Sequence, residues 1–333
     1  MWDFRLSAAL GAMVATAPFI VLRLLVYFGV ALLYVVATGV GGALGYGFTS
    51  FSDGEGAGAI YGAMFGFAGA SGVLYWAREY LLYLVKAGHI AVLVQIHDGK
   101  EIPGGQGQIT YAGGVVRQQF AQASVLFAMD QLIKGVLRAL AGILNTVAMI
   151  LPIPGLEGLV RIINAVLRLS LTYVDEVILA HNLRVGSENP WETSRRALIL
   201  YAQNYGTMVK NAAWLWVLMW LLTLVIFALL LGPVTGLVAL FPGDIGFWAF
   251  VVAFIFAWSF KAALLEPLAI YALMQVYFET TEGQEPNPEW EQRLEQASDK
   301  FRELTARARD AFATGRPSAD QPGSAGPDPA SAG

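Results

Sequence analysis

Ten polar residues between positions 130 and 175 recur at helical spacing inside an otherwise apolar stretch. The first group is Asp130, Lys134, Arg138 and Asn145. The second is Glu157, Arg161, Asn164, Arg168, Thr172 and Asp175, with spacings of 4, 3, 4, 4 and 3. Such spacing draws one polar face on a helix, and Asp130 with Lys134 and Glu157 with Arg161 are favourable pairs one turn apart. Two settings accommodate a stripe of this kind. It can line a polar cavity and so form a path for a small polar solute. It can also lie flat at lipid headgroups, with the arginines reaching into water. Leu151-Pro152-Ile153-Pro154-Gly155 reads as a turn between the two groups, and only 22 residues separate Arg138 from Arg161. An out-and-back crossing needs about 40 residues. The hairpin is therefore re-entrant or interfacial, or it crosses fully and carries charges at membrane depth. A lone charge there costs at least about 2.5–3.5 kcal/mol. Lys261 and Glu266 extend the candidate path, with Pro267 loosening the helix beside them.

Other chemistries lack their residues. The chain has no cysteine, which excludes a thiol nucleophile and a Cys-ligated metal. Its three histidines, His89, His97 and His181, show no metal-ligand spacing, so no metal site is expected. The glycine-rich stretch His97 to Gln108 could cradle a phosphate, but no Gly-Lys-Ser/Thr follows it and it reads as a flexible connector. No nucleophile–base pair, HExxH or paired-carboxylate motif is visible. The expectation is a protein without catalytic residues and without a cofactor.

The elements that must position the stripes are read from composition and charge gaps. Of 333 residues, 56% are hydrophobic and 14% charged, with mean hydropathy +0.55. A soluble domain carries about 25% charged residues. Net charge is −4 and no basic run exists, so nucleic acid is excluded as a partner. The fold class expected is all-α: a polytopic helical membrane protein with four to six transmembrane helices and amphipathic interfacial or re-entrant helices. Two windows lack Lys and Arg, between Arg23 and Arg78 and between Lys210 and Lys261. Each holds two spans and a turn: Leu24 to Gly45 with Ala57 to Trp76, and Ala212 to Leu231 with Gly246 to Leu265. The turns carry Asp53 and Glu55, and Gly232-Pro233 to Ile245. Helix is expected to continue from Arg78 to Ile96 along the membrane surface. Residues Leu6 to Leu22 are apolar too. A break near Pro18 or Arg23 is expected, with the first part at the cytoplasmic interface and the N-terminus uncleaved. The positive-inside rule places both termini in the cytoplasm of a multi-pass inner-membrane protein.

Small residues recur every four positions in the first hairpin, at Ala37, Gly41 and Gly45 and at Gly58, Gly62 and Gly66. Such faces permit close helix approach in lipid, as a glycine zipper within the hairpin or between copies. Near the end, Asn287-Pro288 reads as a helix start. Trp290, Leu294, Ala297, Phe301 and Leu304 then form an apolar seam on a charged helix. Trp290, Leu294, Phe301 and Leu304 are candidate contacts for the protein's own loops, a second copy or another partner. The organisation expected is a hairpin with its loop over 1–119, an amphipathic pair and second hairpin over 120–285, a cytoplasmic helix over 286–313 and a disordered tail over 314–333.

One resemblance appears in the second half. Tyr173-Val174-Asp175-Glu176, His181-Asn182, Glu192-Thr193-Ser194-Arg195-Arg196-Ala197, Tyr205-Gly206 and Asn211-Ala212 follow in order into a span. Phe260-Lys261 and Gln275-Val276-Tyr277-Phe278-Glu279 mark the last span. This order of spans and polar junctions resembles the C-terminal half of the choline transporter-like family. The resemblance implies organic-cation transport and assigns no site residue; the short glycine-rich first half and the absence of a large extracellular loop depart from that family. Two functional readings stand: a scaffold or assembly partner in a membrane complex, and a transporter or channel-like protein for a small polar or cationic solute. The expected partners are the lipid bilayer, a second copy or a membrane protein, and the solute of the second reading.

Overall fold

A computed structural model describes residues 2–50, 55–102, 107–119, 125, 128–138, 171–186, 188–239, 253–254 and 256–314. Among them there is no strand. The helices are α1 (Leu6–Ala15), α2 (Ala17–Thr49), α3 (Glu55–His97), α4 (Gly107–Gln119), α5 (128–138), α6 (Val174–Val185), α7 (Pro190–Gln203), α8 (Tyr205–Val238), α9 (Phe256–Thr281), α10 (Pro288–Ala297) and α11 (Asp299–Thr314).

Among the described residues, four stretches are long and apolar enough to cross a membrane: Ala17–Thr49, Tyr80–His97, Tyr205–Gly236 and Phe256–Thr281. The expected Ala57–Trp76 lies on the same helix as the second of these, upstream of it. Helix α3 runs unbroken for 43 residues, about 65 Å at 1.5 Å per residue. The break before the first span lies at Thr16. Pro18 cannot donate an N–H back to Val14, and α2 restarts with this proline in its first turn. Arg23 lies inside α2 and interrupts nothing. The turn expected at Gly232-Pro233 is also displaced, because α8 continues through Pro233 to Val238. Proline removes one helical hydrogen bond there, and the helix resumes with Thr235 Oγ1 donating to Leu231 O at 2.7 Å.

The chain forms two compact units. The first joins Met1–Val116 with Val209–Tyr277, and the second joins Arg117–Met208 with Phe278–Gly333. In the first unit, α2 and α3 pack as an antiparallel hairpin. The outward sides of these long helices carry bare apolar residues, among them Leu32, Phe48 and Phe65. Buried Ile90 to Val94 and Leu268 to Met274 supply much of this unit's core. In the second unit, α7 supplies Trp191, Ile199 and Leu200, while α11 supplies Phe301, Leu304 and Ala308. Helix α6 closes on Gly186 at φ +66°, a left-handed cap that L side chains avoid.

Candidate functional site

The polar stripe converges on one buried group in the second unit. Asp130 and Lys134 lie one turn apart on α5, and Asp175 and Glu176 open α6. Lys134 Nζ stands 2.8 Å from Asp130 Oδ2 and 3.7 Å from Asp175 Oδ2. Asp130, Asp175 and Glu176 are all buried. Burial raises the Asp175 carboxyl well above its ordinary range, and the neighbouring Glu176 and Asp130 add to this. Burial likewise raises Asp130 against the opposing pull of Lys134. Burial alone would lower Lys134, but Asp130, Asp175 and Glu176 together hold it raised. Of the carboxyls around this ammonium, Asp130 makes the closest approach to Lys134.

Arg138 is exposed at the end of α5, and Asn145, Glu157, Arg161, Asn164 and Arg168 lie outside the described residues, as does the 151–155 turn. Lys261 and Glu266 belong to the first unit and are half-buried. Lys261 lies 4.5 Å over the Trp258 ring. It opens a five-residue π-helical turn, Lys261–Leu265, in which the Glu266 N–H donates to the Lys261 carbonyl. Pro267 supplies the reason, since it has no N–H for the Ala263 carbonyl.

The hairpin brings its small residues backbone to backbone. A Cβ on Gly41 would stand 2.3 Å from Gly62 O, and one on Gly45 would stand 2.0 Å from Gly58 O. One on Gly66 would stand 2.2 Å from Ala37 O. Glycines at 39, 47, 56, 69 and 72 have nothing within 4 Å of that position.

The C-terminal seam is covered by the chain itself. Leu294, Phe301 and Leu304 are buried, and α10 and α11 pack on α7. These three side chains are therefore not available to a partner. Trp290 is half-buried beside Tyr205, with ring centroids 5.8 Å apart. The residues that hold this docking were not singled out by spacing. Asn189 caps α7 by accepting from Glu192 N–H at 3.2 Å, and its Nδ2 donates to Ala308 O at 2.9 Å. Arg307 lies 5.1 Å over the Trp191 ring. Arg195 pairs with Glu192 and with Glu291 of α10, and Arg196 donates to Glu285 at 2.6 Å. The Asn189-Pro190 dipeptide is a helix-start signal that could have marked the place.

The first unit holds a smaller polar centre at the α1–α2 break. Thr16 Oγ1 donates to Ala12 O at 2.7 Å and stands 2.9 Å from His89 Nε2. The His89 ring stacks on Phe19, with centroids 5.1 Å apart. Gln108 Nε2 donates to Ala15 O at 2.8 Å. The extended N-terminus is tied to the same unit: Asp3 N–H donates to Asn211 Oδ1 at 2.7 Å, and Lys210 Nζ lies 2.6 Å from Asp3 Oδ2. Among the described residues no cluster of His, Asp and Glu could hold a metal ion. Compared with known proteins, the chain matches no family model, no curated protein and no solved structure.

Proposed function

We propose that this is a multi-pass membrane protein that serves as a scaffold or assembly partner, with the first unit as its anchor and the second as a helical body presented for assembly. One observation carries the reading. The four stretches apolar enough to cross a membrane fall almost entirely in the first unit, whereas the buried ionisable group lies in the second. The docked tail supports the same reading, because α10 and α11 pack on α7 through an apolar seam, with Arg195 of α7 paired to Glu291 of α10. The partner-facing surface is then the outer, charged side of these helices rather than the seam itself. Both termini in the cytoplasm of the inner membrane, and the small-residue hairpin acting as a glycine zipper, complete the proposal.

Transport of a small cationic solute is the second reading. It is favoured by the buried Asp130–Lys134–Asp175–Glu176 group, whose desolvation costs stability without improving packing. The likeness of the polar junctions to the choline transporter-like family belongs with it. One preparation tests both. Protein extracted with its native lipids is sized by native mass spectrometry, and the same protein in liposomes is assayed for uptake of radiolabelled choline and tetraethylammonium. The scaffold reading expects a stoichiometric assembly and no flux above empty liposomes. A monomer that carries either cation, with flux lost in Asp175→Asn, would overturn it.

A further inference from the structure

Helix α3 is too long for one crossing. Its 43 residues span about 65 Å, whereas the apolar core of a bilayer is about 30 Å thick. Two stretches of it compete for that core, residues 55–76 and Tyr80–His97. Burial separates them. Ala87 and Ile90 to Val94 are buried, whereas Ile60, Tyr61, Met64 and Phe65 are bare. Within Tyr80–His97, 50% of the residues are buried by the protein itself, against 12% in the apolar part of Ala17–Thr49.

The neighbouring helices change character at one level. On α2, Phe19 and Arg23 are the last buried side chains among the described residues, and large apolar side chains from Leu25 to Phe48 stand exposed. Phe256 of α9 meets Phe28, with ring centroids 5.2 Å apart, and Gln275 Oε1 accepts from Arg5 N–H at 3.1 Å. Helix α9 therefore runs antiparallel to α2 and brings Lys261 to the level of Arg23. Before that level Phe254 and Trp258 are exposed; beyond it Leu265 and Leu268 to Met274 are buried. Lys261 lies over the exposed Trp258 ring, as lysine and tryptophan do at a headgroup boundary. Helix α4 packs on the enclosed side of this level. Gln108 Nε2 donates to Ala15 O, and Ala112 Cβ lies 3.5 Å from the Cβ position of Gly88. Its 13 residues include Gln108, Thr110, Arg117, Gln118 and Gln119, a composition that suits water rather than hydrocarbon.

On the other side the hairpin has the dimensions of a bilayer. Residues 29–49 of α2 and 55–76 of α3 run about 31 and 33 Å at 1.5 Å per residue, close to the thickness of the apolar core. Their only charged residue is Glu55, at the turn. We propose that the bilayer encloses the distal half of the α2–α3 hairpin, residues 29–49 and 55–76, with its phosphate layer at the level of Arg23 and Lys261. Tyr80–His97 is then a protein-enclosed helix at the membrane face and not a span. The proposal rests on the anchoring role of the first unit and says which half of α3 the lipid covers.

The chain has no cysteine, so single cysteines carry a nitroxide label without background. Val14, Val21, Val40 and Phe65 are exposed, so a label at each disturbs no packing. Val40 and Phe65 share one level on the two helices, because Gly41 meets Gly62 and Gly66; either reports that depth if the other variant does not fold. Full-length Val14→Cys, Val21→Cys, Val40→Cys and Phe65→Cys are labelled and reconstituted in vesicles of phosphatidylcholine and phosphatidylglycerol. Spin-relaxation measurements compare collisions with oxygen, which concentrates among acyl chains, and with a water-soluble nickel chelate. The oxygen preference should be greatest at Val40 and Phe65, fall at Val21, and be lost at Val14. A maximum at Val14 and Val21, with no preference at Val40 and Phe65, would put Tyr80–His97 in the core and overturn the proposal. An equal preference at all four sites would overturn the boundary. Flotation of the unlabelled protein with carbonate-washed vesicles separates the two failures: protein that floats keeps the anchoring role whatever the depth profile, and protein that stays behind loses both.

Discussion

Substituting Gly62 by alanine adds one methyl group where two backbones already touch. The new Cβ would stand 2.2 Å from Gly41 O and 2.9 Å from Gly45 Cα. Normal contact needs more than 3 Å, so the helices must part by about 1 Å along this line. The obstructing atoms are main chain and cannot swing away as a side-chain tip would. Overpacking of a fitted core costs about 1–3 kcal/mol, and a backbone obstacle puts this site near the upper end. Alanine returns up to about 1 kcal/mol through its better helix propensity. The expected net loss is about 2 kcal/mol. Gly69→Ala is the control on the same helix, because nothing lies within 4 Å of its Cβ position and only the propensity gain applies. The two variants should therefore differ by roughly 3 kcal/mol in opposite directions. Reversible unfolding in mixed micelles with increasing dodecyl sulfate, followed by tryptophan fluorescence, measures the difference. Equal midpoints for the two variants, or a Gly62→Ala protein more stable than wild type, would refute the close approach of α2 and α3.

Three further outcomes are expected. His181 is held at a pKa of about 4 by burial and by the nearby Arg184 and Arg196; an unfolded histidine titrates near 6.5. The unfolded chain binds the extra proton, so stability is complete above that value and falls as pH drops through the window to about 4. The loss approaches ~3 kcal/mol, reduced by the ring's partial exposure, and His181→Gln should flatten the acid limb of a denaturation series. Phe301→Asp places a charge in the fully buried centre of the α11–α7 contact; limited proteolysis should then cut between α9 and α10 at least tenfold faster, and an unchanged cleavage rate would show that the tail is not docked. Asp3→Ala removes the partner of Lys210 and Asn211, so amide exchange at Asp3 to Arg5 should quicken while α8 is unaffected; unchanged protection would show that the N-terminus is held by Trp2 and Phe4 alone.

Elements with strong local signals were legible in the sequence. The all-helical class follows from composition, and the α10 start from Asn287-Pro288. The seam of Leu294, Phe301 and Leu304 was legible as an apolar stripe, but its occupant was not, because spacing describes one surface and never its complement. The meeting of Asp130 and Lys134 with Asp175 joins residues some 40 positions apart, which periodicity along one helix cannot reveal. Pro233 misled for a different reason. Proline ends helices in water more often than in apolar surroundings, where the helix must resume to satisfy its remaining backbone groups. The polar centre at Thr16, His89 and Gln108 carries no motif at all. Each residue is an isolated polar position in apolar sequence, and only the helix break brings them together.

The π-helical turn at Lys261–Leu265 works as a one-residue phase shift in α9. A helix advances 100° per residue, so an inserted residue turns everything after it by nearly a third of a revolution relative to everything before. Upstream, Phe254 and Trp258 face outward; downstream, Leu268 to Phe278 are buried almost without interruption. Deleting Ala262 or Ala263 would leave a regular helix of nearly the same composition, yet it would swing Tyr271 and Gln275 away from His97 and Arg5, their present neighbours. The spacing of this segment is thus a property of its residue count as much as of its residue types, and chains that share its pattern but lack the extra residue should be aligned across it with a gap.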